Sequence, residues 1–238
     1  MPETLHGRVA LVTGGTGALG RSVVAAFADE GAIVHVPWLR AREVDGLKPY
    51  LDATDGRVHL HQADVTDPAT VARLVEDVTA AEGRLDILAN VVGGFTGGTL
   101  VETDPVTWQK MFALNATSAF LCTRAVVPHM QRQQWGRVIN IAAGPALEHG
   151  AGGMSAYAAS KAAVLNLTYS LSKELVRDGI TVNAIVPSVI DTHANRAAMP
   201  KGDVSTWLEP QEVARVMVFL ASDDAAIVTG SAITLSRG

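Results

Sequence analysis

The sequence predicts an α/β fold, a doubly wound parallel sheet of seven strands in a single domain covering residues 1–238. Three observations lead there. Short runs rich in Val, Ile and Leu alternate with longer amphipathic stretches, and that alternation calls for parallel strands joined by helical crossovers. The strand candidates read as continuous apolar runs rather than as every-second-residue patterns, as expected of strands covered by helices on both faces. Hydrophobic residues make up 48% of the 238 and charged residues 18%, enough for one large core.

In chain order, Arg8–Val12 is the first strand, followed by a helix from about Leu19 to Glu30. Ile33–Val36 and His59–Gln62 are the second and third strands, and Pro68–Glu82 is helical. Leu85–Asn90 is the fourth strand, Asp104–Arg132 a long helical region and Arg137–Ile141 the fifth strand. Ala156–Arg177 is a long helix and Thr181–Val186 the sixth strand. Pro210–Leu220 is helical, and Ala232–Leu235 closes the sheet as the seventh strand. The least regular stretch, Ser188–Trp207, is small and polar; connections of that length are commonly lids.

Composition excludes several classes. A formal net charge of -5 leaves no electrostatic footprint for nucleic acid or an acidic membrane. No run reaches the ~18 apolar residues of a membrane span, and Met1–Arg8 lacks the pattern of a secretory signal. The one cysteine, Cys122, sits on an apolar helix and reads as a core residue, consistent with a reducing cytoplasm. No metal-ligand pattern is present, so the expected partner is a small molecule.

Directly after the first strand comes Thr13-Gly14-Gly15-Thr16-Gly17-Ala18-Leu19-Gly20. Read as Gly15-x-Gly17-x-x-Gly20, it fits the dinucleotide fingerprint of a Rossmann-type sheet. Glycines there permit a tight turn, let backbone amides approach a pyrophosphate and let the helix pack on the strand. The helix N-terminus then offers free N–H groups to the anion. An acidic residue ending the second strand selects NAD; here that strand continues Pro37-Trp38-Leu39-Arg40 without a carboxylate. Arg40 and Arg42 are placed to pair with a 2′-phosphate, or are simply surface arginines. The expected cofactor is NADP(H) or NAD(H), with a slight lean to NADP(H).

Tyr157-Ala158-Ala159-Ser160-Lys161 puts a phenol and an ammonium one helical turn apart. A free phenol, with a pKa near ~10, exchanges protons poorly at neutral pH; a nearby ammonium favours the phenolate. The pair therefore reads as a general acid–base device.

With its surroundings, this pair resembles the short-chain dehydrogenase/reductase family across nearly the whole chain. The resemblance is carried by the Thr13–Gly20 turn, Asp64-Val65, Asn90, Leu114-Asn115, Tyr157-x-x-x-Lys161, Val182-Asn183-Ala184 with Pro187, and Thr229-Gly230. It implies that Tyr157 passes a proton as hydride is transferred, that Lys161 holds the nicotinamide ribose and tunes Tyr157, and that Asn115 anchors a water in a proton relay. It further implies that Asp64 and Val65 border the adenine, Asn90 the adenosine ribose, and Pro187, Ser188 and Thr192 the nicotinamide end; Asp64 and Asn90 fit turn and capping chemistry as well. Homodimers or homotetramers formed through 104–132 and 156–177 are implied as well.

One departure stands out. The family's Ser at the end of the fifth strand is missing: the chain reads Asn140-Ile141-Ala142-Ala143-Gly144. Such a hydroxyl donates to a developing oxyanion, and losing one donor typically costs ~10²–10³ in rate. Either Ser155 or Ser188 replaces it, or the substrate does without it, or the protein binds cofactor as a sensor or scaffold with little catalysis. Within the family, dihydropteridine reductases lack this Ser, and three stretches here resemble theirs: Gly14–Gly20, Val92–Gly98 and Asp191–Trp207. Against that, Asn115 is present and the acidic NAD-selecting residue is not. The substrate expectation is thus a ketone or alcohol, or a pterin-like C=N acceptor. Aromatic candidates for the pocket are Phe95, Trp135, Tyr157 and Trp207; Phe95 and Trp207 either flank the nicotinamide end or are buried packing residues.

Overall fold

The computed structural model describes residues 4–54, 56–148 and 150–237. Seven parallel strands form one sheet in the order β3-β2-β1-β4-β5-β6-β7. The strands are β1 Val9–Thr13, β2 Ile33–Trp38, β3 Val58–Gln62, β4 Ile87–Asn90, β5 Gly136–Ile141, β6 Ile180–Pro187 and β7 Ala232–Leu235. All five residues of β1 are buried. Ala10 and Val12 join the core under one sheet face, Val9 and Leu11 the core under the other. This is why the strand reads as a continuous apolar run: both of its faces are dry.

Helices α1 (Ala18–Asp29) and α9 (Pro210–Ala221) cover the first face, where Phe27, Val213 and Met217 are fully buried. The second is covered by α3 (Pro68–Glu82), α5 (Ser118–Gln133) and α7 (Ser155–Leu175). Local chemistry fixes their starts. Asp67 accepts a hydrogen bond from the Thr70 amide ahead of Pro68 at the first helical position of α3. Cys122 is completely buried in α5, and desolvation pushes its thiol up to about 12, so it is a packing residue.

The element order follows the sequence expectation, with three differences. The long helical region 104–132 is α4 (Pro105–Phe112), a π-helical turn over Ala113–Thr117 and then α5. The connection from β2 to β3 contains a 3-10 helix, Ala41–Leu47, and α2 (Lys48–Ala53). Two further short helices are present: α6 (Gly144–Leu147), and α8 (His193–Ala198) inside the stretch read as irregular. Such single-turn elements carry too little periodicity to stand out in a sequence. No helix among the described residues is long and apolar enough to cross a membrane.

Candidate active site

The strand order reverses between β1 and β4: β2 and β3 lie on one side of β1, and β4 to β7 on the other. Open α/β sheets bind ligands in the crevice outside the carboxyl ends of the strands at such a point. Thr13 holds the crevice in shape. Its hydroxyl accepts from the Val91 amide at 3.2 Å and donates to the Ala89 carbonyl, tying the end of β1 to the end of β4.

The glycine turn fills the gap above. Gly14 has φ +68, and a Cβ there would stand 2.7 Å from the Val92 nitrogen. A Cβ on Gly20 would stand 2.0 Å from the Gly14 carbonyl oxygen. Neither position tolerates a side chain, so the turn and the start of α1 pack backbone against backbone. Gly17 caps α1 without a side-chain hydrogen bond, leaving its first amides to an external acceptor. Beside this turn lies a cleft of about 110 Å³ whose walls include Gly14, Thr16, Trp38, Glu43, Asp64 and Val65. The residues fit a dinucleotide: a cradle that a Cβ would fill, uncapped helix amides and an adjoining cleft.

Of the predicted cofactor residues, Gly14, Thr16, Asp64 and Val65 border this cleft. The Asp64 carboxylate is held in a turn by the Thr66 amide at 2.8 Å and hydroxyl at 2.6 Å. Arg40 and Arg42 are exposed on the rim and do not line the cleft. Glu43 does, and its carboxylate accepts from the Leu39 and Arg40 amides at 3.2 and 3.3 Å. Sequence reasoning missed Glu43 because the fold of residues 41–47 brings it back under β2.

Asn90 ends β4. It is buried, and its side-chain amide donates to Asn140 Oδ1 at 2.9 Å and Thr123 Oγ1 at 3.2 Å. Those bonds brace the sheet against α5, while Asn90 Oδ1 is buried without a hydrogen-bond partner among the described residues. Pro187 ends β6, Ser188 is exposed just beyond it, and Thr192 caps α8 through the Asn195 amide at 3.1 Å.

The second half of the site gathers at the end of β5. Lys161 is buried, and its Nζ donates to the Ile141 carbonyl at 2.7 Å. The π-helical turn aims Asn115 at the same place: its amide donates to Ser160 Oγ at 2.9 Å and to the Gly94 carbonyl, and its oxygen accepts from the Gly94 amide. Widened turns of this kind recur at functional sites. A Cβ on Gly93 would sit 2.9 Å from Asn115 Oδ1 and 3.2 Å from Lys161 Nζ, so the backbone after β4 runs directly past both. Ser160 closes the cluster by donating to the Tyr157 carbonyl at 2.7 Å. It was visible within Tyr157-x-x-Ser160-Lys161 but had no role until Asn115 was placed.

Tyr157 stands one turn before Lys161 on α7, with the Phe95 ring edge-on at 5.0 Å. That contact follows from a loop docking, in which the Gly98 amide donates to the Gly153 carbonyl at 2.7 Å just ahead of α7. Phe95 itself is 60% exposed. The phenol pKa lies above its usual value, raised by burial, and no lowering by Lys161 is seen. The reason is geometric: the ammonium is turned to the Ile141 carbonyl. Burial also brings Lys161 down from 10.5 to about 8.

At the missing-hydroxyl position, Ala143 is buried in extended conformation just before α6. Ser155 and Ser188 are exposed. Of the aromatic candidates, Trp135 stands away from the cluster and Trp207 takes the packing alternative. Trp135 lies at the opposite edge of the sheet under Arg8 and Arg137. Trp207 is buried, packed so tightly on Gly202 that a Cβ there would meet its ring at 2.5 Å.

The seven-stranded parallel sheet, the glycine turn and the Tyr–Lys–Asn cluster define a Rossmann-type dinucleotide-binding oxidoreductase. The short chain dehydrogenase family model matches residues 8–202, and the chain belongs to that family, whose members use NAD(P)(H). It is 33% identical over 242 residues to a 3-oxoacyl-(acyl-carrier-protein) reductase of Thermotoga maritima, covering 98% of both chains. It is 34% identical over 245 residues to a 2-dehydro-3-deoxy-L-rhamnonate dehydrogenase (NAD(+)) of a Sphingomonas species, covering 98% of this chain and 95% of the other. A crystal structure of a short-chain dehydrogenase/reductase from Burkholderia xenovorans superposes with a TM-score of 0.90 at 33% identity, covering 99% of this chain and 97% of that one.

Proposed function

We propose that this oxidoreductase reduces a small ketone, or oxidises the matching alcohol, with Tyr157 as the proton donor and acceptor. The observation that carries this reading is the convergence of Tyr157, Lys161 and Asn115 beside the glycine turn at one end of the sheet. The dinucleotide would supply or accept the hydride. Gly14, Thr16 and the first amides of α1 would hold its phosphates, and Asp64 with Val65 its adenine. Lys161 would hold the nicotinamide ribose and, as an ammonium, favour the phenolate once a ribose hydroxyl draws it toward Tyr157. Asn115 and Ser160 would keep the relay in line. The described residues would act as one catalytic domain, with 188–207 as a lid.

NADPH is the favoured form in this reading. No carboxylate ends β2, Glu43 is already engaged by two backbone amides, and Arg40 and Arg42 lie exposed at the rim. A homodimer or homotetramer through α4, α5 and α7 is part of the reading, and Trp108 and Phe120 are exposed there.

Ala143 favours a second reading, a pterin-like C=N acceptor that develops no oxyanion. The test is oxidation of NADPH and NADH side by side, with simple ketones and quinonoid dihydropterin as acceptors. Ketone turnover with NADPH is the expected result. Fast pterin turnover with slow ketone turnover replaces it by the second reading, and cofactor binding without turnover on any acceptor replaces both by a sensor.

A further inference from the structure

At the foot of the sheet, on the edge away from the active site, lies a concavity of about 630 Å³ between β5, β6 and the segment after α9. That size falls within the range of small-molecule sites. Its chemistry is unusual for a sheet foot. Arg137 and Thr181 are register partners on neighbouring strands and line the same wall. Both are buried.

The Arg137 guanidinium is anchored but incompletely neutralised. Its Nε donates to the Ser222 carbonyl at 3.1 Å and its Nη1 to the Gly136 carbonyl at 2.9 Å. Nη2 faces only Asp223, at 3.7 Å, beyond hydrogen-bond distance. The Asp223 carboxylate is already taken: it accepts from Arg8 at 3.1 and 3.2 Å and from the Trp135 indole at 3.0 Å. Both guanidinium groups also lie over the Trp135 ring, 3.7 and 4.2 Å from its centre. One carboxylate thus serves two cations and an indole. Beside them, the buried Thr181 Oγ1 has no hydrogen-bond partner among the described residues. A buried hydroxyl left unpaired costs free energy, and native structures keep few of them. On the rim, beside the exposed Gln134 and Asp223, stand two apolar side chains, Val176 at 52% exposed and Ile227 at 94%.

We propose that this concavity binds a small amphipathic carboxylate, its anionic head on Arg137 Nη2 and the Thr181 hydroxyl, its apolar body along Val176 and Ile227. The head gives Arg137 a second anion beside the Asp223 carboxylate that it shares with Arg8, and gives Thr181 the acceptor that it lacks. Bonds of that kind are charge-assisted and stronger than neutral ones. The proposal does not depend on the substrate assigned to the active site.

The test is calorimetric titration of the cofactor-loaded protein with octanoate, and with 1-octanol as its uncharged counterpart. Octanoate is expected to bind at least tenfold tighter than the alcohol, and equally with or without cofactor. Thr181→Val should weaken octanoate about tenfold without lowering Tm, because the hydroxyl it removes bonds to nothing in the free protein. Ile227→Glu, on an exposed rim, should weaken it at least as much. Absent binding, equal binding by the two variants, or displacement by cofactor overturns the proposal. So does concentration-dependent self-association that Ile227→Glu abolishes, since the rim would then be a contact between copies.

Discussion

The two halves of the sheet's carboxyl edge are built by opposite means. The dinucleotide half is made of backbone and of missing side chains: Gly14 at φ +68 against Val92, Gly20 against the Gly14 carbonyl, and helix amides without a cap. The other half is made of buried polar side chains, with Lys161 held on the Ile141 carbonyl and Asn115 bonded to the Gly94 carbonyl and to Ser160. On the proposed reading, backbone would recognise what every dinucleotide shares, the pyrophosphate, whereas side chains would decide which proton moves. Cofactor binding and chemistry should therefore separate under mutation.

The largest effect tests that separation directly. Tyr157→Phe removes the phenol while keeping the ring against Phe95. Turnover should fall ~10²–10⁴-fold, the usual worth of a general acid–base group, while a fluorescence titration of cofactor affinity stays within about twofold. Equal loss of both would mean that the halves are one unit. The converse variant is Gly20→Ala, whose Cβ meets the Gly14 carbonyl at 2.0 Å. Cofactor affinity should drop at least tenfold together with Tm, because the turn must open to admit a methyl group.

The same contrast explains what was legible in the sequence. Glycines are irreplaceable where backbone packs on backbone, so Gly14–Gly20 announces itself next to an apolar strand. Tyr157 and Lys161 share a helix, so their spacing is already a geometry. Glu43 and Ser160 also bond locally, but Glu43 lines the cleft only with Gly14 and Asp64, and Ser160 joins the cluster only through Asn115, all far away in the chain. Asn90 shows the limit of local patterns: its place at a strand end suggests a ligand contact or capping, and no spacing reveals the bonds from its amide to Asn140 and Thr123. Trp135 failed for a similar reason, since β5 begins at the edge of the sheet opposite the site.

A smaller effect concerns Lys161, which touches both halves. Burial lowers its pKa from 10.5 to about 8. Between those values the folded protein sheds the proton while the unfolded chain keeps it. The group's contribution to stability is therefore present above 10.5 and is lost as pH falls through 8. Above pH 8 the ammonium proposed to hold the ribose is gone, so kcat/KM for carbonyl reduction should decline on an alkaline limb near pH 8. Lys161→Arg, which stays charged, should have a lower plateau and no limb below pH 9. A limb that does not move would assign it to another group.

The smallest effect addresses the position where the two halves meet a substrate. Ala143→Ser restores a hydroxyl at a buried, extended residue, and on the ketone reading turnover should rise about tenfold, below the ~10²–10³ that an evolved oxyanion donor supplies. Pterin turnover should stay unchanged, because hydride addition to a C=N bond leaves no oxyanion to hold. A competing outcome is built into the fold: Ala143 is also the N-cap of α6 and provides no side-chain cap. A Ser hydroxyl turned to those helix amides would raise stability by about 1 kcal/mol and leave both rates alone. Measuring Tm beside the two turnover numbers tells a hydroxyl aimed at substrate from one spent on the helix.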